Sequence, residues 1–82
     1  MYKIIFTKST LKDFKKLDNN TQKIIKKKLT LFQSNPLKYA TKLTNNEIGA
    51  YRFRIGDYRA IFDMEEDKII ILKIGHRKEI YK

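Results

Sequence analysis

Four arginines lie close together in the C-terminal half of the sequence, between Tyr51 and Tyr81. They are Arg52, Arg54, Arg59 and Arg77. The lysines, by contrast, are spread along the whole chain. The planar guanidinium fork of arginine matches the geometry of a phosphate, whereas lysine offers only a point charge. The cluster therefore predicts a site for a phosphate or a similar anion.

Residues 51–62 predict a β-hairpin that places three of these arginines on one surface. Residues 51–55 alternate apolar and cationic side chains, as in a half-buried strand. A second strand-like run follows Gly56-Asp57, and a two-residue connection with Gly first is typical of a primed turn. The register then gives an apolar face of Tyr51, Phe53, Ile55, Tyr58, Ala60 and Phe62. The opposite face, here called the arginine face, carries Arg52, Arg54 and Arg59.

The same register places Arg54 directly opposite Arg59. Like charges at such positions repel, and cross-strand pairs are worth roughly 0.2–1 kcal/mol. One interpretation is that a bound anion relieves the repulsion. The other is a solvated face on which the two guanidinium groups point apart, and the sequence leaves both open.

A third strand, Lys68 to Gly75, is predicted to complete an antiparallel meander. Its apolar run has no alternation, so its register is ambiguous by one residue. A three-residue loop before it would point Ile70, Leu72 and Ile74 to the core. Lys73 would then join the arginine face, and Arg77 has the same parity if the strand runs that far.

The composition indicates one domain over residues 1–82 with a thin core. The absence of Cys and the presence of a single His argue against a thiolate or zinc site, so we expect no metal and no cofactor. No signal peptide or membrane-spanning run is visible, which favours a cytoplasmic protein with no membrane partner. The formal charge of +10 predicts a polyanionic partner, either nucleic acid or an acidic protein.

The first half of the chain predicts a strand and two amphipathic helices. Tyr2, Ile4 and Phe6 lie on one side of the strand. The first helix has apolar side chains at Leu11, Phe14 and Leu17, with Thr7, Ser9 or Thr10 as its cap. The second has a stripe of Ile25, Leu29 and Phe32, widened by Ile24 and Leu31, with Asn20 or Thr21 as its cap.

Packing this αα-hairpin on the apolar face of the meander gives a two-layer α+β domain. The helices would lie on one sheet face and leave the arginine face open. The second helix must end near Asn35, because Pro36 disfavours helix at the residue before it. In the connection that follows, Lys42-Leu43 leads into the sheet and Asn45-Asn46 marks a turn.

Two motifs, together with this order of elements, carry a resemblance to a known family. One is Tyr-Arg-x-Arg-x-Gly-Asp-Tyr-Arg from Tyr51, and the other is Gly-His-Arg-x-x-x-Tyr from Gly75. The chain resembles the RelE/ParE superfamily, the toxins of type II toxin–antitoxin systems, over nearly its whole length. The resemblance implies a RelE-like toxin that cleaves mRNA in the ribosomal A site without metal. It also implies a small antitoxin partner.

The resemblance assigns site residues by motif position. It implies a catalytic face of Arg52, Arg54, Arg59, Arg77 and Tyr81, of which Arg59, Arg77 and Tyr81 are the predicted catalytic residues. Parity adds Lys73 as a phosphate-binding residue, and His76 and Lys42 are further candidates. The best-known RelE members carry lysines at the positions of Arg52 and Arg54. Because arginine cannot give up its proton, these two are assigned to phosphate binding and charge stabilisation only. Proton transfer then falls to Tyr81, with His76 in reserve.

The residues leave the role of Tyr81 open. Tyr81 could act as a base if guanidinium groups stabilise its phenolate, but it could equally stack on an RNA base or position the 2′-OH.

Two alternatives to an mRNA-cleaving toxin belong to other classes of protein. The ParE branch shares the fold but inhibits DNA gyrase by binding it. A non-catalytic RNA-binding module is the third possibility, since phosphate contacts alone give affinity without chemistry.

Overall fold

A computed structural model describes residues 1–44 and 47–81. The predicted turn at Asn45-Asn46 lies outside the described residues. The elements in chain order are β1 (Lys3–Phe6), α1 (Lys8–Lys15), α2 (Asn19–Phe32), α3 (Pro36–Tyr39), β2 (Ala40–Lys42), β3 (Tyr51–Ile55), β4 (Tyr58–Glu65) and β5 (Lys68–His76). The predicted α+β class, with its N-terminal strand, αα-hairpin and C-terminal meander, is confirmed. No helix in the described part of the chain is long and apolar enough to cross a membrane.

The meander β3-β4-β5 is the centre of a five-stranded sheet with the order β1-β5-β4-β3-β2. The first strand pairs in parallel with the last, with Lys3 beside Lys68, and α1 and α2 belong to the crossover between them. The short edge strand β2 pairs antiparallel with β3 and was not predicted as a strand. Three residues are too few to show the alternation by which strands are recognised in sequence.

The main core lies between the helices and one face of the sheet. Phe14 from α1 and the predicted stripe of α2 are buried there, against Phe53, Ile55, Ala60, Phe62, Ile69, Ile71 and Ile74. The predicted apolar face of the hairpin is thus confirmed. Ile24 and Leu31 do not widen the stripe; both are about half exposed, because they lie on the flank of α2 that turns to solvent.

Side-chain caps fix where the two main helices begin. The Thr7 hydroxyl, one of the predicted caps, accepts the backbone N–H of Thr10 at 3.3 Å. The cap of α2 is Asp18, not Asn20 or Thr21, and its carboxylate accepts the N–H of Thr21 at 2.7 Å. This bond lowers the pKa of Asp18. Pro36 begins α3, where its missing N–H costs no intrahelical bond.

The register of β5 differs from the prediction. The turn from β4 has two residues, not three, with Glu65 opposite Lys68 and a positive φ of 57° at Glu66. Ile69 and Ile71 therefore point to the core, instead of Ile70 and Leu72. A bulge then shifts the parity, so that Ile74 is buried and Lys73 lies opposite Ile61 on the arginine face, both as predicted. Because residues 69–72 are all apolar, the sequence pattern does not show which of them face the core or where that alternation shifts.

The arginine face is predicted to be open, but in the structure it is partly covered. Ile61, which shares this face with its cross-strand partner Arg52, is completely buried. Gly49 approaches it so closely that an added Cβ would lie 2.9 Å from Ile61 Cγ2 and 3.0 Å from Leu72 Cδ1. At the other end, Ile80 is completely buried beside Gly75. A second, smaller apolar layer therefore borders the arginines.

Candidate active site

The β3–β4 hairpin positions three arginines by its register. The structure pairs Arg54 with Arg59, Ile55 with Tyr58 and Arg52 with Ile61, as predicted. Gly56 occupies the first turn position with φ 59°, the left-handed conformation that a primed turn requires there. Because cross-strand partners share a face, Arg52, Arg54 and Arg59 lie on the same side of the sheet.

Arg59 is the most enclosed of the arginines, with 8% of its surface exposed. Its Nη1 donates to the carbonyl of Gly56 at 2.7 Å and to that of Tyr58 at 2.8 Å. Burial lowers the pKa of its guanidinium, and the charges of Arg54, Arg52 and Arg77 lower it further, whereas Tyr81 raises it. The cross-strand pairing of Arg54 with Arg59 is the direct geometric source of this repulsion.

Arg52 connects the hairpin to the C-terminal turn. Its Nη1 donates to the Tyr81 hydroxyl at 3.2 Å. Its Nε is buried and has no hydrogen-bond partner within residues 1–44 and 47–81. Arg54, two residues along the strand, is exposed. Arg52 is therefore held in place at one nitrogen and retains an unsatisfied donor at another.

The residues after β5 fold back over the sheet and carry Arg77 and Tyr81 to the arginines. The N–H of Arg77 donates to the carbonyl of Asp57 at 2.7 Å, and that of Ile80 donates to the carbonyl of His76 at 3.0 Å. Burial of Ile80 anchors the segment. The adjacent Tyr81 remains 48% exposed, so its ring and hydroxyl are accessible beside Arg52.

The two further candidates, Lys42 and His76, lie away from the arginine face. Lys42 is exposed and pairs with Tyr51, so its side chain belongs to the face opposite the arginines. His76 pairs with Tyr58 and packs edge-to-face on its ring, with centroids 5.6 Å apart. The His76 Nδ1 also accepts the N–H of Lys78 at 3.1 Å. His76 and Lys42 thus both lie on the face opposite the arginines, and the sheet separates them from the cluster.

The site can bind an anion at several guanidinium groups and place a phenol beside it. Arginine donates hydrogen bonds but stays protonated, whereas a tyrosine hydroxyl can both donate and accept. This combination suits chemistry at a phosphate, in which charge develops on oxygen and a proton must move.

The sequence matches the family described as ParE toxin of type II toxin-antitoxin system, parDE, over residues 4–81. The chain belongs to the RelE/ParE superfamily of type II toxins. This RelE-like toxin is 34% identical to Toxin RelE3 of Methanocaldococcus jannaschii, over 96% of the chain and 94% of that protein. The resemblance inferred from the two motifs is thus confirmed.

Solved structures agree with this assignment. The toxin matches the RelB-RelE antitoxin-toxin complex from Methanococcus jannaschii with a TM-score of 0.73 and 32% identity, covering 94% of each chain. It also matches the RelBE2 toxin-antitoxin complex from Mycobacterium tuberculosis with a TM-score of 0.83, covering 93% of this chain and 98% of that one. At 23% identity the second comparison shows the fold alone.

Sequence reasoning missed two features of the toxin's site. It did not foresee that Asp57 would contact Arg77, and it did not assign Ile80 as the anchor of the C-terminal turn. The position of an apolar residue, Ile80, directly before Tyr81 was the feature of the sequence that could have indicated this anchor. No signal in the sequence indicated that the turn at Asp57 and the turn at Arg77 meet.

Proposed function

We propose that this toxin is a ribosome-dependent endoribonuclease that inhibits translation by cleaving mRNA, with the RNA's own 2′-OH as the nucleophile and without a metal. The observation that carries the proposal is the approach of the Tyr81 hydroxyl to 3.2 Å from Arg52 within the arginine cluster. Cleavage by a 2′-OH needs a base near that hydroxyl, cations around the phosphorane and an acid for the leaving 5′-oxygen. A phenol beside guanidinium groups is consistent with these needs.

The arginines divide the work by their exposure. Arg52, Arg54 and Lys73 bind the RNA backbone phosphates, and exposed Arg54 makes the first contact. Arg77, whose side chain is 54% exposed, reaches the scissile phosphate and stabilises the phosphorane. Arg59 is enclosed, so it acts through its charge and by ordering the hairpin turn. Burial lowers the pKa of Arg59 and the neighbouring arginines lower it further, so a phosphate entering this crowded positive region would relieve the second of these effects.

Tyr81 carries the proton transfer in this proposal. Its oxygen accepts a hydrogen bond from Arg52, which leaves its own O–H directed elsewhere as a donor. The neighbouring arginines cannot take up or release a proton at this step. The half-exposed ring can in addition stack on an RNA base and so fix the position of the cut.

We further propose a cognate antitoxin as the protein partner and the ribosome with mRNA as the target. The solved relative from Methanococcus jannaschii is an antitoxin-toxin complex, and the formal charge of +10 calls for an acidic partner in the resting cell. The antitoxin would cover the arginine face or displace the C-terminal turn. Co-purification of the toxin with the product of the adjacent reading frame tests this partnership.

The decisive experiment is transcript mapping after induction of the toxin, with Tyr81→Phe as the control. Codon-phased cuts that disappear in Tyr81→Phe support the proposal. A ParE-like gyrase inhibitor is the second candidate, favoured by the description of the matching family. It would give DNA breaks with intact transcripts. A non-catalytic RNA-binding module would slow translation with neither kind of damage.

A further inference from the structure

The three consecutive backbone carbonyls of residues 56–58, which are the hairpin turn and the first residue of β4, each accept a hydrogen bond from a site arginine. The carbonyls of Gly56 and Tyr58 accept from Arg59 Nη1, at 2.7 and 2.8 Å. The carbonyl of Asp57, between them, accepts the backbone N–H of Arg77 at 2.7 Å. A single turn therefore holds one arginine by its side chain and another by its main chain.

The side chain of Asp57 adds a second contact to Arg77. Its Oδ1 lies 3.7 Å from Arg77 Nε, and both side chains are more than half exposed. A guanidinium has five N–H donors, so a carboxylate at Nε leaves donors that a phosphate can take. The carboxylate is nevertheless an anion beside a group that must bind an anion, so it also competes with the incoming ligand.

We propose that Asp57 is a positioning residue for Arg77. The Asp57 carboxylate aims the Arg77 guanidinium at the scissile phosphate, and it competes with RNA for the same positive charge. The chemical consequence rests on the proposed endoribonuclease function. The geometric part of the proposal, that the Asp57 carboxylate orients Arg77, is independent of that function.

The two roles have opposite effects on binding and on cleavage. Removing the carboxylate takes away a competitor, so RNA should bind about 1.5- to 5-fold more tightly, the range set by one exposed ion pair. It also releases the guanidinium from its orientation, and a misplaced catalytic group slows the reaction. Because the orientation is held by that same exposed ion pair, we expect the cleavage step of the saturated complex to fall about 1.5- to 5-fold.

Asp57→Asn is the test variant, since asparagine keeps the size of the side chain and is well tolerated in turns. Asp67→Asn is a matched control. Asp67 is the second residue of the other two-residue turn, is exposed, and its carbonyl also accepts an N–H, from Lys3 at 2.8 Å. Both variants remove one negative charge, but only Asp57 contacts Arg77. Asp57→Glu keeps the charge and tests recovery.

Three measurements are needed. The arginine Nε–H groups give four side-chain NMR signals, one for each arginine, and Arg77→Lys assigns the signal of Arg77. Affinity is measured with a 2′-O-methyl RNA oligonucleotide, which cannot be cleaved by 2′-OH attack. Single-turnover cleavage is measured on ribosomes loaded with mRNA.

We expect Asp57→Asn to move the Arg77 signal, tighten oligonucleotide binding and slow cleavage, while Asp67→Asn leaves the signal and the cleavage rate unchanged. Asp57→Glu should recover part of the rate. An Arg77 signal that responds equally to both Asn variants would overturn the inference, as would weaker RNA binding by Asp57→Asn. If the wild-type protein cuts no mRNA, the proposed function fails, and the NMR and binding comparisons still decide the role of Asp57.

Discussion

Arg54 and Arg59 lie directly opposite each other in β3 and β4, yet their side chains have different surroundings. Arg54 is exposed, whereas Arg59 is 8% exposed and binds the carbonyls of its own turn. The pair thus separates its charges by turning one guanidinium back onto the hairpin. The separation is incomplete, because Arg54 still contributes to the lowered pKa of Arg59.

Removing one charge of this pair should stabilise the free protein. We expect Arg54→Gln to raise the free energy of unfolding by about 0.2–1 kcal/mol at low ionic strength, the range for a cross-strand pair. The gain should shrink in high salt, because salt screens exposed charges. Thermal melts at two salt concentrations measure it. A destabilised variant at low salt would show that the repulsion is negligible here.

The hydrogen bonds from Arg59 to the turn should matter for folding as well as for function. Arg59→Ala removes bonds from a charged donor to the carbonyls of Gly56 and Tyr58, and hydrogen bonds to charged groups contribute about 1.5–3 kcal/mol. We expect a loss of that order in urea unfolding. Full stability of Arg59→Ala would mean that water replaces the guanidinium without cost.

RNA affinity should depend on salt through the arginine face and not through the opposite face. For single strands, each phosphate contact contributes about 0.7 to the slope of log affinity against log salt. Arg54→Ala should reduce the slope by about that amount. Lys42→Ala removes an exposed charge from the other face and should leave the slope near its wild-type value. Equal slopes for the two variants would argue against an oriented RNA site.

The second apolar layer can be tested at its glycines. Gly49→Ala would place a Cβ 2.9 Å from Ile61 Cγ2 and 3.2 Å from the backbone carbonyl of Phe62, which cannot move easily. We expect a destabilisation of about 1–3 kcal/mol, typical of overpacking. Gly75→Ala is the control, since its Cβ would meet only Ile80 Cδ1 at an ordinary 3.6 Å. Similar unfolding curves for both variants would contradict the close approach at Gly49.

Toxicity should depend on the C-terminal turn even when the fold is intact. Arg77→Ala and Tyr81→Phe should each relieve growth arrest. Loss of a general acid or base such as Tyr81 typically slows a reaction about 10²- to 10⁴-fold, and loss of a donor that stabilises the transition state, such as Arg77, about 10²- to 10³-fold. Tyr39→Phe is the control, because Tyr39 packs on Phe32 in the helical layer. Circular dichroism checks the fold of each variant. Full toxicity of both site variants would place the active site elsewhere.

The sequence by itself determined the hairpin and hence the shared surface of Arg52, Arg54 and Arg59. A two-residue turn with Gly first permits one register, and in an antiparallel pair the register decides which side chains share a face. The main stripe of α2, Ile25, Leu29 and Phe32, was determined in the same way, because the helical period of apolar residues is a local property of the sequence.

Tertiary structure alone decided the phase of β5, the covering of the arginine face and the approach of Tyr81 to Arg52. The apolar run of β5 fits either phase, and the bulge between two strands is set by what each residue packs against. The C-terminal turn is held by the carbonyl of Asp57 and the burial of Ile80. Such contacts join segments distant in sequence, so no local pattern of residues encodes them.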